Sequence, residues 1–276
     1  MDDFVTAISK AEQRWHKPIV NHLQSVYGSV HLPSHDPSHH LRVWIYCKEL
    51  IYQLVTHGIT LTFTAEQALI ASLFHDVGLT VDTSEFHGYQ SRLLCEQFFS
   101  NNPHLAVEGL HEILDAIEHH DDKRFKNTGL RPNPINLVTL ISTADDLDAF
   151  GLVGVFRYLE IYALRGITIE DIPQRVLVNL GNRFANFEQN FGHIPDLLSN
   201  HSARYEVVKC FFEQMRNDFI TGISNVSDSI NIANTIIGTL VESKQDIKTA
   251  IALGLVTNPN PKRVSFYVGL IDELGL

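Results

Sequence analysis

The 276-residue chain is 44% hydrophobic and 19% charged, the balance of a globular protein that buries a core and not of a disordered one. Asp and Glu number 32 against 21 Lys and Arg, a formal net charge of -11, which argues against charge-driven nucleic-acid binding. Its 3 cysteines, Cys47, Cys95 and Cys210, form no CxxC pair and leave an odd count, which excludes a disulfide scaffold and a thiolate zinc finger.

The opening Met1-Asp2-Asp3-Phe4 lacks the basic-then-apolar order of a signal peptide, and no stretch reaches the apolar length of a membrane span. A cytoplasmic location without membrane contact is therefore expected, in keeping with the unpaired cysteines. The predicted elements are helices throughout. A break at Gly28 precedes a helix starting at Ser38, and Gly58 ends it. Thr64, with Glu66 and Gln67 following, starts a second helix, in which Ala68, Leu69, Ser72 and Leu73 share a face. Gly78 interrupts it, and His87 leads into Ser91, Leu94 and Phe98. Further starts are expected at Pro103 and at Asn133-Pro134, with Leu110, Ile113, Leu114 and Ile117 at helical spacing between them. Turns are expected at Gly192 to Pro195 and at Thr221-Gly222, before the stripe Ala233, Ile236, Ile237, Leu240 and Val241. Alternating runs suited to a sheet are absent, as are repeats and linkers, so a single all-α domain over residues 1–276 is expected.

Certain polar residues continue the apolar stripes. Asp76 follows Leu69, Ser72 and Leu73; His120 follows Ala116 and Ile117; Asp145 follows Leu137 and Ile141. His39 begins the run Val43, Cys47, Leu50, and His87 heads its own helix. One inward histidine is usually a hydrogen-bonded core residue, and one inward Asp is often half of an ion pair. Two carboxylates and three imidazoles facing inward are harder to place that way, because no Arg or Lys shares those stripes and a buried unpaired carboxylate costs several kcal/mol. A shared cation satisfies them together. His75, beside Asp76, joins the set if the helix ends near Gly78.

The same residues carry a family resemblance. The order His39, His75-Asp76, Asp145 resembles the H…HD…D signature of the HD-domain metal-dependent phosphohydrolases. His35-Asp36-Pro37-Ser38-His39-His40-Leu41-Arg42-Val43 is similar to the HDxxHxxRV opening of one bacterial branch, which selects His39 over His40 as ligand. Ala144-Asp145-Asp146-Leu147-Asp148-Ala149-Phe150-Gly151 is similar to that branch's ADRLDAxG segment. The resemblance covers about residues 31–160 and implies an HD-domain helical bundle, with the metal core there and additional C-terminal helices over about 166–276. It also implies a second metal position, with His87 and the pair His119-His120 matching the two further histidines; the helical stripe favours His120. Leu79 stands where some members carry an acid or a lysine, and no GYP follows the histidines, which disfavours a cyclic dinucleotide as substrate.

Imidazole and carboxylate donors without thiolate suit Fe, Mn, Ni, Co, Zn or Mg and leave the ion's identity open. One or two such divalent ions lower the pKa of bound water and stabilise charge growing on a phosphoryl oxygen. The expected function is therefore a metal-dependent phosphohydrolase whose partner is a small phosphorylated substrate, a phosphomonoester or a nucleotide. Asp76 is the candidate catalytic residue and, like Asp145, a candidate bridging carboxylate. Arg42, one turn after His39, and Arg157, beyond the Asp145 segment, are candidate phosphate-binding residues. Lys123, with Arg124 and Lys126, is a third candidate beyond the histidine pair. Asp148 is a candidate for orienting a ligand, and Asp82 and Asp121 are candidate proton donors. The alternatives are a di-iron oxygenase of the same superfamily and a non-catalytic binding module stabilised by its metal.

Overall fold

A computed structural model describes residues 2–84, 86–122, 135–223, 227–257 and 259–276. Among these residues the regular structure is helical and contains no strand, the all-α fold that the periodicity predicts. No helix of the described residues is long and apolar enough to cross a membrane. The chain divides into two compact units, Met1–Leu147 with Gln189–Leu197, and Asp148–Glu188 with Leu198–Leu276. The division falls inside the span 31–160 over which the family resemblance runs.

In the first unit, α1 (Asp2–Ala11) and α2 (Lys17–Tyr27) are joined by a π turn, Glu12–His16. That turn carries the fully buried Trp15, whose ring meets Phe99 edge-on at 5.7 Å. The third helix, α3 (Pro37–Thr56), is capped by Asp36, whose carboxylate accepts from the N–H groups of Ser38 and His39, with Pro37 at the first position. The cap thus lies two residues before the expected Ser38. Thr64 starts α4 (Ala65–Phe74) through a capping box with Gln67. Every residue of α4 except Glu66 is buried, so this helix is the centre of the unit, packed against α1 and α3 and against α6 (Leu110–His119).

The helix expected at Pro103 does not form. After α5 (His87–Asn101) the chain closes a turn, Leu105 N–H donating to the Asn102 carbonyl at 2.8 Å, and α6 begins only at Leu110. The expected start at Asn133-Pro134 lies outside the described residues. Asn136 accepts from Thr139 N–H at 2.8 Å just ahead of α7 (Leu137–Asp148).

Two glycines let α5 approach its neighbours. A Cβ on Gly78 would run into the carbonyl of His87, and one on Gly88 into the carbonyl of Glu118. The Gly78 N–H donates to Ser91 Oγ at 2.7 Å, locking the first turns of α5 onto the segment that follows α4.

The second unit contains α8 (Gly151–Leu164) and most of α9 (Ile172–Phe191) and α10 (Pro195–Thr221), followed by α11 (Asp228–Ile237), α12 (Ile247–Val256) and α13 (Pro261–Leu274). Here α8 packs against α11 and α13. Glu273, near the end of α13, accepts from the N–H groups of Leu152 and Val153 at 3.0 and 3.1 Å. It thereby neutralises the amino end of α8.

Candidate metal centre

Five segments of the first unit bring donors to one buried place. His39 lies in the first turn of α3, His87 opens α5, His120 follows the last residue of α6, and Asp145 sits in α7. The remaining two come from the end of α4. That helix stops at Phe74: His75 keeps helical angles, but Asp76 takes φ -109° and ψ 5° and leads into a 3-10 turn, Val77–Thr80. Successive side chains of a helix point about 100° apart. Leaving the helix at Asp76 is what lets both neighbours face the same site. The continuous stripe expected through Asp76 thus ends one turn earlier, and the residue reaches the site by another route.

Two groups of donors result, His39, His75, Asp76 and Asp145, and Asp76, His87 and His120, each residue being buried. In the first, His39 Nε2 lies 3.1 Å from His75 Nε2, 3.2 Å from Asp76 Oδ2 and 3.7 Å from Asp145 Oδ1. His75 Nε2 is 3.5 Å from Asp76 Oδ2 and 3.8 Å from Asp145 Oδ1. In the second, Asp76 Oδ1 lies 3.0 Å from His120 Nε2 and 3.2 Å from His87 Nε2. Asp76 therefore turns one oxygen toward each group.

The donor set fits a metal ion. Donors bound at about 2.0–2.2 Å lie about 3.0–3.5 Å from one another at right or tetrahedral angles, close to the spacings in both groups. The tautomers fit as well. Nδ1 of His75, His87 and His120 donates to the carbonyls of Ser72, Ser84 and Ile117 at 2.8, 2.9 and 2.7 Å. A carbonyl only accepts, so Nδ1 carries the hydrogen, and the neutral form of each ring presents its Nε2 lone pair inward, the arrangement in which an imidazole binds metal.

Electrostatics ties the groups to Asp76. Burial acts to raise its pKa, but the charge of His75 and the hydrogen bonds of His120, His39 and His87 outweigh it and hold the carboxyl well below its usual range. Burial likewise works against protonation of His75 and His87. Asp76 and Asp145 nevertheless raise His75, and Asp76, helped by Asp121 and the Ser84 carbonyl, pushes His87 up to about 9. Without an ion, the raised His75 and His87 offset part of the buried negative charge.

The other sequence candidates are placed as follows. His119 is partly exposed, with Nδ1 on the Asp115 carbonyl at 2.9 Å, and belongs to neither group. Arg42 donates to Ser38 Oγ at 3.1 Å, one turn back on α3. Lys123, Arg124 and Lys126 lie outside the described residues. Arg157 is in the second unit, buried, with its guanidinium 3.2 Å from Asp148, the residue considered for orienting a ligand. Asp82 accepts from Ser84 N–H and Ser84 Oγ at 2.8 and 2.7 Å and shapes the loop before His87. Leu79 is buried in the 3-10 turn.

Sequence reasoning missed Tyr27 and passed over His40. His40 is fully buried against the rings of both His39 and His75. The doubled histidine was a visible signal for it. Tyr27 gave none, because its role depends on a contact 49 residues away.

The geometry is compatible with an HD-type metal site, and the buried groups could hold one or two ions. No protein-family model, curated protein or solved structure matches the chain.

Proposed function

We propose that the chain is a cytoplasmic, metal-dependent phosphohydrolase of the HD type, acting on a phosphomonoester or a nucleotide. The observation that carries this reading is the carboxylate of Asp76, buried and shared between two groups of imidazoles. His39, His75, Asp76 and Asp145 would hold one divalent ion, and Asp76, His87 and His120 a second. Bound there, the ions would supply Lewis acidity, making water acidic near neutral pH and drawing charge from a phosphoryl oxygen.

The chain's own residues do the rest. Main-chain carbonyls hold three of the rings in the metal-binding tautomer before any ion arrives, which removes reorganisation from the binding step. Burial keeps bulk water away and strengthens every charge interaction inside. Arg42, anchored on Ser38 one turn from His39, supplies a cation for phosphate, and Lys123, three residues after His120 in the sequence, is proposed as a second.

A second reading, oxygen activation by two irons, is favoured by the buried Leu79, which puts an apolar side chain where an acid or lysine would serve phosphate chemistry. The deciding experiment loads the purified chain in turn with Fe, Mn, Co, Ni, Zn and Mg. A panel of phosphomonoesters and nucleotides is then assayed beside oxygen uptake. Metal-dependent phosphate release supports the first reading. Oxygen uptake with iron alone replaces it by the second, and neither activity despite bound metal leaves a binding module.

A further inference from the structure

Tyr27, the last residue of α2, places its hydroxyl 2.8 Å from His40 Nε2 and 3.3 Å from the main-chain carbonyl of Asp76. A carbonyl only accepts, so the phenol hydrogen goes to it, and His40 Nε2–H donates to the phenol oxygen. Both residues are buried, Tyr27 7% exposed and His40 0%. His40 is wedged by ring contacts among Tyr27 at 5.5 Å, His39 at 5.4 Å and His75 at 5.2 Å. The carbonyl they hold belongs to the residue that leaves α4, and it also accepts from Leu79 N–H at 3.0 Å.

We infer that Tyr27 and His40 are positioning residues of the metal centre: they clamp the Asp76 peptide in its non-helical conformation and so aim its carboxylate at both groups of histidines. The inference rests on the metal reading of those groups. Two features make the clamp effective. The peptide plane of Asp76 fixes ψ, and with φ it decides where the side chain leaves the backbone. The hydrogen bond from Tyr27 is also lost whenever that plane rotates, so departure from the observed ψ costs the buried phenol one of its two hydrogen bonds. Helical angles at Asp76 would swing the carboxylate away from at least one group, since His75 occupies the adjacent direction.

The clamp predicts a pattern that loss of general stability does not. Tyr27→Phe keeps the ring and removes only the hydroxyl, so the fold persists. Because Asp76 serves both groups, the variant weakens Co(II) at both. His87→Ala weakens only the group formed by Asp76, His87 and His120. Removal of a partner that orients a metal ligand lowers metal affinity by about 10- to 100-fold.

Titration of the metal-free full-length chain with Co(II), read by its visible absorption and by metal analysis, tests this. The expected result is about 10-fold weaker Co(II) binding at every step in Tyr27→Phe, with an altered absorption band and an unchanged circular dichroism spectrum. His40→Gln, which keeps a donor near the Nε2 position, retains most of the affinity, and His40→Leu does not. Wild-type affinity and spectrum in Tyr27→Phe overturn the clamp while leaving the metal reading intact. A wild-type chain that takes up no Co(II) overturns both.

Discussion

His75 and Asp76 are neighbours in the chain, yet both side chains enter one buried site, with His75 Nε2 3.5 Å from Asp76 Oδ2. The helix end between them makes this possible, and it gives Asp76 a position no other donor has. Asp145 faces only the first group.

Asp76→Asn and Asp145→Asn are therefore unequal. Each keeps side-chain shape and removes one charge from around a cation. Asp76→Asn is expected to abolish binding at both groups and to reduce turnover by orders of magnitude. Asp145→Asn should leave the group of Asp76, His87 and His120 able to bind. Metal analysis of both variants, with circular dichroism to verify folding, checks the difference; equal metal contents would contradict a shared carboxylate.

Metal binding should release protons. His75 is raised and His87 is pushed up to about 9 in the metal-free site, while an imidazole ligand must be neutral. Affinity is expected to tighten as pH rises toward 9 and to weaken steadily below it. For the metal-free chain the sign is opposite. A histidine whose folded pKa is raised contributes stability that is complete below its unfolded value near about 6.5 and is lost as pH rises through the folded value. Calorimetric titration in buffers of different protonation enthalpy reads the released protons; binding independent of pH would refute the linkage.

Gly78→Ala tests the seam between α5 and the 3-10 turn. The added methyl meets the His87 carbonyl, a backbone atom that yields only if α5 moves. Overpacking of this kind costs about 1–3 kcal/mol, and the shift carries His87 away from Asp76. A lower melting temperature together with loss of metal from the second group is the expected pair of effects. Thr64→Ala, which breaks the capping box of α4 at its far end, should cost about 1 kcal/mol and leave metal content unchanged. Thermal melts and metal analysis of both variants make the comparison.

The two arginines should behave differently. Arg157 is buried beside Asp148 in the second unit, and removing one member of a buried ion pair costs about 3–5 kcal/mol. Arg157→Ala is expected to lower the melting temperature sharply, with KM little changed in what remains folded. Arg42→Ala should leave stability nearly intact and raise KM for a phosphate ester. An Arg157 variant of normal stability but raised KM would return that residue to the substrate.

The sequence by itself determined the helical class and the six donors that the fold brings together. Helical spacing and residue chemistry are local properties, readable wherever an imidazole or carboxylate interrupts an apolar stripe. Thr64 with Gln67 was legible for the same reason. The tertiary structure alone decided how those donors are shared. Asp76 and His120 stand 44 residues apart, and which carboxylate oxygen meets which ring depends on where α4 ends and how closely glycines let α5 approach. The same holds for Tyr27, reaching the Asp76 carbonyl across 49 residues, and for Arg157, whose partner proved to be Asp148. A local pattern specifies which face of a helix is buried; only packing specifies what that face meets.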